Sequence, residues 1–134
     1  MSDEEEALIR SAVERWNEGG FDAFVADFLG DDTEWHTPAQ YPEKVVWRGR
    51  DAIRDGWHTE FDAVFENMRS EVIRLDRASK RWFLELRSVA RSPISGAELD
   101  WHSYYLVEVD EWKLRFVREF MDERLARQVA AKQG

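Results

Sequence analysis

The chain has 134 residues and no cysteine, which is one domain's worth of sequence (1–134) and excludes thiolate nucleophiles, zinc–cysteine sites and a disulfide scaffold. Its 19 Lys and Arg against 28 Asp and Glu leave a formal charge of -9, which repels phosphate backbones and anionic lipid, so neither nucleic acid nor membrane is an expected partner. With 7 Trp, 8 Phe and 3 Tyr, the composition describes a large aromatic interior or cavity.

The N-terminus is acidic where a secretory signal would be basic, and no apolar run approaches the roughly 20 residues of a membrane helix. A cytoplasmic protein is expected. Ser2 and Glu5 read as a capping box for a first helix with Leu8, Ile9, Ala12, Val13 and Trp16 on one stripe, stopped by Gly19-Gly20. A second helix, with Phe21, Phe24, Val25, Phe28 and Leu29 inward, is closed by Gly30-Asp31-Asp32. Residues 33–37 read as a short strand and 38–44 as a proline-bearing loop. Ile53, Trp57, Phe61, Val64 and Phe65 mark a third helix over 51–65. The period then falls to two, giving strands over 69–75, 80–90, 99–109 and 112–121, before Asp122 caps a closing helix over 123–131. Helices first and an antiparallel meander after them predict an α+β class, with helices packed on one face of a curved sheet.

A two-residue turn at Asp110-Glu111 would place opposite each other residues whose numbers sum to about 221, and so His102 against Glu119. Directly opposed side chains come within reach of a hydrogen bond, which predicts a His-Glu dyad on a face shared with Tyr104 and Met121. The reverse face would carry Trp101, Tyr105, Phe116 and Phe120, an apolar surface expected to be covered by a second copy in a homodimer.

The segment Asn17-Glu18-Gly19-Gly20-Phe21-Asp22-Ala23-Phe24, the segment Trp47-Arg48-Gly49-Arg50-Asp51-Ala52-Ile53 and the terminal strand 113–122 together resemble the NTF2-like superfamily, in its SnoaL-like branch. The resemblance implies a cone, in which a strongly curved antiparallel sheet wraps around N-terminal helices and leaves an apolar pocket open at one end. Polyketide cyclases, ketosteroid isomerases, scytalone dehydratase and limonene epoxide hydrolase share that architecture. Arg118-Glu119-Phe120-Met121 is most similar to the phenazine-biosynthesis A/B proteins, which implies an acid/base role for Glu119. The ligand-contacting histidine of their third helix falls near Gly56, two positions from His58. Leu86 and Ser88 stand where the epoxide hydrolase pattern needs Arg and Asp, and Trp16 stands where the isomerase pattern needs tyrosine, so both of those chemistries are disfavoured.

These readings nominate Glu119 and His102 as the catalytic pair. Each of the three histidines follows a tryptophan, in Trp35-His36, Trp57-His58 and Trp101-His102, and rings beside titratable groups suit a pocket for a flat ligand. His58, Trp57, Tyr104, Trp35, His36 and Met121 are therefore pocket candidates, and Tyr41 and Trp47 flank the loop as a candidate lid. Trp16, Phe24 and Phe28 read as core fillers. No HxH, HxxxH or HExxH spacing supports a metal, and no cofactor is expected. The function expected is an acid/base enzyme, of isomerase, cyclase, dehydratase or condensation type, acting on a small apolar, aromatic or polyketide-like molecule. The competing class is a non-catalytic module of the same fold that binds a small ligand or a protein.

Overall fold

Asp3, Glu4 and Glu5 fill the first turn of α1 (Ser2–Phe28), where the unpaired N–H groups of a helix start favour negative charge. The structure, a computed structural model, describes residues 2–38 and 45–132. Tyr41 and most of the predicted loop lie outside these residues, as does the side chain of Ser2. Glu5 accepts hydrogen bonds from Trp82 Nε1 at 2.9 Å and Arg77 Nη1 at 2.6 Å, which ties the start of α1 to the sheet. Gly19-Gly20 interrupts α1 as expected. Gly20 adopts φ 85°, ψ -179°, a non-helical backbone region that only glycine enters at low cost, so α1 consists of the two predicted helices joined across a kink.

The chain passes directly into β1 (Leu29–His36), followed by the short β2 (Val46–Arg48) and α2 (Arg50–Phe61). Gly30-Asp31-Asp32 thus belongs to an irregular strand start, where Thr33 Oγ1 accepts from the Gly30 N–H at 2.8 Å and donates to the Leu114 carbonyl at 2.7 Å. Four long strands follow, β3 (Glu66–Ala78), β4 (Arg81–Arg91), β5 (Glu98–Asp110) and β6 (Lys113–Phe120), and then α3 (Glu123–Lys132). Asp122 Oδ1 accepts from the Leu125 N–H at 3.1 Å, the expected cap of α3.

The six strands form one sheet in the order β2-β1-β6-β5-β4-β3. β1 runs parallel to β6, with Trp35 beside Val117, so the sheet is mixed where a purely antiparallel one was expected. Register shifts interrupt the β1/β6, β3/β4 and β5/β6 ladders. Each unpaired residue bends its strand, and the sheet curves without closing. Inside the curve, Trp82, Leu84 and Leu86 of β4, with Val107 and Val117, pack against Ile9, Ala12, Phe21, Phe24 and Val25 of α1 and Ile53 of α2. On the outside, Ala126 of α3, with Leu125 and Val129 beside it, covers Phe83, Leu106 and Phe120. Among the described residues no helix is long and apolar enough to cross a membrane.

The last hairpin departs from the predicted pairing. Its two loop residues are Glu111 and Trp112, both at positive φ (50° and 66°), so that Asp110 pairs with Lys113. A bulge between Glu108 and Val109 then moves the register one residue further. The pairs beyond it are Tyr105 with Glu119 and Tyr104 with Phe120. The total slip is odd, and it exchanges the faces of β5 relative to β6. His102 and Tyr104 therefore lie on the outer face and Glu119 on the inner one. The predicted subunit-contact face dissolves for the same reason, since Tyr105 lies inside with Glu119 while Phe120 lies outside, covered by α3.

Candidate functional site

Where the inner sheet face runs beyond the packed core, it leaves a cavity of about 50 Å³. Every layer contributes to its wall, with Trp16 from α1, Trp35 from β1, Trp57 and Phe61 from α2, Phe65 just after α2, Met68 from β3, Ser88 from β4, Trp101 and Tyr105 from β5, Glu119 from β6, and Met121. Trp57, Phe61 and Phe65 reach the same wall because they recur every four residues, a spacing that the turn after α2 preserves through the bond from the Phe65 N–H to the Phe61 carbonyl at 2.9 Å. The rings form a continuous run. Trp16 meets Trp57 edge-on at 5.5 Å, Trp57 meets Phe61 at 5.0 Å, Phe61 stacks on Phe65 at 5.7 Å, and Phe65 stacks on Trp101 at 4.7 Å. Met121, 43% exposed, places one side of the cavity at the surface.

Glu119 is the carboxyl group in this wall, and among the described residues no Lys, Arg or His accompanies it. Burial alone pushes its pKa up to about 7, with no ion pair or hydrogen bond drawing it back. Arg87, the natural candidate for a counter-ion, is bound to Asp100 at 2.6 and 3.0 Å. Directly across the strand pair stands Tyr105, whose Oη accepts from the buried Ser103 Oγ–H at 3.0 Å. Ser88 shares a hydrogen bond with Ser70 at 2.8 Å, and Asn17 clamps the Ser70 backbone N–H and carbonyl at 2.8 Å each, fixing α1 against β3 below the cavity. A carboxyl that titrates near neutrality in an aromatic enclosure can take up or release a proton from a bound small molecule. Among the described residues no group of three or more His, Asp or Glu is arranged to hold a metal ion.

Residues 9–123 match the SnoaL-like domain, which is most of the chain. The chain belongs to the SnoaL-like domain family. Among curated proteins none matches it in sequence. Solved structures with a similar fold include a hypothetical protein with a ketosteroid isomerase-like fold from Catenulispora acidiphila, in complex with trimethylamine (TM-score 0.69, 16% identity, covering 87% of this chain and 85% of that one). TerC co-crystallised with polyporic acid superposes with a TM-score of 0.70 at 12% identity, covering 92% of this chain and 95% of that one. A protein from Jannaschia named as a SnoaL-like polyketide cyclase gives 0.65 at 12% identity, covering 96% and 94%. At these identities the likeness is one of fold, the NTF2 and ketosteroid isomerase-like cone.

Of the residues nominated from sequence, the SnoaL-like domain brings Glu119, Trp57, Trp35 and Met121 together around the cavity. The His102–Glu119 dyad is not formed. His102 Nδ1 instead lies 2.7 Å from Oε2 of Glu85, a carboxylate only 6% exposed on the outer face, with Arg74 facing its other oxygen. Tyr104 packs beside Phe83 in the cluster under α3, where burial raises its phenol pKa. His36 turns outward to Glu34 at 3.2 Å and Phe116 at 4.9 Å, because its neighbour Trp35 takes the inner face. His58 bridges Asp62 at 2.8 Å and Asp22 at 2.6 Å, joining α2 to α1, and the hydrogen bond to Asp62, then that to Asp22, raises its pKa. Trp47 lies flat against Gly56, where a Cβ would collide with its indole, so it braces α2 outside the cavity wall. Trp16, placed by sequence among the core fillers, and Trp101 and Tyr105, placed on the dimer face, are cavity residues. So are Phe61, Phe65, Met68 and Ser88, of which the first two were legible from their four-residue spacing after Trp57.

Proposed function

We propose that this SnoaL-like domain is a cofactor-independent acid/base enzyme, of isomerase, cyclase, dehydratase or condensation type, that acts on a small, largely apolar molecule held against Glu119. The observation that carries the proposal is the carboxyl of Glu119, enclosed by rings, without an ionic partner among the described residues and held near pH 7 by burial. In its ionised form it removes a proton from carbon or oxygen, and in its neutral form it returns one to the neighbouring position. Tyr105, on the opposing strand, supplies a phenol beside the developing negative charge. Support for a small ligand comes from the family and from proteins of similar fold solved with trimethylamine and with polyporic acid.

The experiment is proton exchange. Incubated in D2O with a panel of small ketones and β-dicarbonyl compounds, wild-type protein is expected to exchange an α-hydrogen of at least one member, faster as the pH rises through about 7. Glu119→Gln is expected to slow that exchange by about 10²–10⁴-fold. Equal exchange by folded Glu119→Gln would remove Glu119 from the mechanism. A second reading, a non-catalytic ligand-binding module, is favoured by the rest of the wall, which beyond Glu119 and Tyr105 offers rings, two thioethers and one hydroxyl. Ligand binding without exchange in either protein would select it.

A further inference from the structure

An ionised carboxylate enclosed by aromatic rings leaves a cavity one positive charge short of balance. In this wall four tryptophans, two phenylalanines and a tyrosine line the cavity with Glu119, and among the described residues no basic side chain stands with them. We propose that the cavity takes a compact alkylated ammonium ion, its head seated among Trp16, Trp35, Trp57 and Trp101 with Glu119 as counter-ion. The assignment rests on the reading that a small molecule binds against Glu119, and not on whether that molecule is turned over.

Each feature of the wall selects among ligand classes. Indole is the strongest of the aromatic partners for a cation, and the attraction grows when the site is desolvated. An anion would meet the Glu119 carboxylate with no cation among the described residues of the wall between them, and a neutral molecule would leave Glu119 in its protonated form and gain nothing from its charge. A primary ammonium or a guanidinium brings three to five N–H donors. The wall offers Glu119 and the hydroxyls of Ser88 and Tyr105, both already in hydrogen bonds. An alkylated ammonium presents methyl groups and needs few acceptors. The cavity is compact, about 50 Å³, and opens past the exposed Met121, where any longer arm of the ligand would be directed.

Binding of a cation favours the ionised carboxyl. Burial holds free Glu119 near 7, so affinity rises with pH through that region, and below it complex formation releases a proton. Of the described groups that line the cavity with Glu119, Tyr105 of β5 is the titratable one, while α1, α2, β1, β3 and β4 present rings, Met68 and Ser88.

The test is a titration of the intact protein with choline chloride and, separately, with the neutral isostere 3,3-dimethylbutan-1-ol, followed by tryptophan fluorescence and calorimetry at constant ionic strength. At pH 8 choline is expected to bind about tenfold or more tighter than the alcohol, and at pH 5.5 that preference is expected to shrink. Glu119→Gln, shown to be folded by circular dichroism, is expected to lose the preference while retaining affinity for the alcohol. The pH comparison on wild-type protein decides the matter without any variant. Alcohol binding as tightly as choline at pH 8 would overturn the ammonium assignment and leave the small-molecule site standing. Binding of neither compound at millimolar concentration would overturn both.

Discussion

Glu119 shows how far environment can move one side chain when no partner intervenes. Its carboxyl has an ordinary value of 4.5 and stands at about 7 in the fold because desolvation penalises the charged form. The folded protein therefore holds a proton that the unfolded chain has already released between those values. Stability falls as the pH rises from about 4.5 to about 7 and is flat for this group above that. The loss amounts to about 3 kcal/mol at most, at 1.36 kcal/mol per pKa unit. Glu119→Gln removes the group without changing its shape, so the variant is expected to melt higher than wild type at pH 8, with the gap closing toward pH 4.5. Paired thermal melts across that range check it, and a gap independent of pH would count against a desolvated, unpartnered carboxyl at this half-buried residue. The position was legible from sequence as an acidic residue on a strand with Val117 and Met121 flanking it on the same face. Its isolation was not, because that depends on what stands opposite.

At the scale of the element, the last hairpin decides which residues see the cavity. Asp110-Glu111-Trp112-Lys113 contains no glycine, yet Glu111 and Trp112 both take the left-handed conformation. Counting from a turn at Asp110-Glu111 misplaces the loop by one residue, hence the sum of paired numbers by two, and the bulge after Glu108 adds one more. A bulge leaves no clear mark in a single sequence, since both faces of β5 and β6 carry apolar residues. The helical spacing of Trp57, Phe61 and Phe65, by contrast, survived translation into structure because a four-residue repeat fixes a face regardless of neighbours. The strain at the turn is measurable. Trp112 is 64% exposed, so Trp112→Gly sacrifices little packing and relieves a positive φ, and it is expected to stabilise the protein by about 1 kcal/mol in urea denaturation. A loss of that size would show that the indole contributes more than its exposure implies.

At the scale of the whole molecule, the cone follows from α1 and from bulges in the strands. Gly20 bends α1 so that Trp16 and Phe24, on either side of the kink, stack at 5.1 Å inside the sheet. Periodicity made the order of helices and strands and the turn to an antiparallel meander visible in the sequence, and the resemblance of residues 17–24, 47–53 and 113–122 to the SnoaL-like branch pointed to the family. The parallel pairing of β1 with β6 was not visible, because it joins segments far apart in the chain and is set by where α1 delivers β1. Four of the chain's 7 tryptophans meet at one cavity for the same reason, since helix, hairpin and first strand converge there only in three dimensions. The enclosure of a single carboxyl by those rings is what the proposed chemistry requires. It is tested most directly by a carbon-13 NMR titration of the glutamate side-chain carboxyls, with Glu119 assigned by its absence in Glu119→Gln. A midpoint near 7 is predicted, and a midpoint near the ordinary 4.5 would contradict the account.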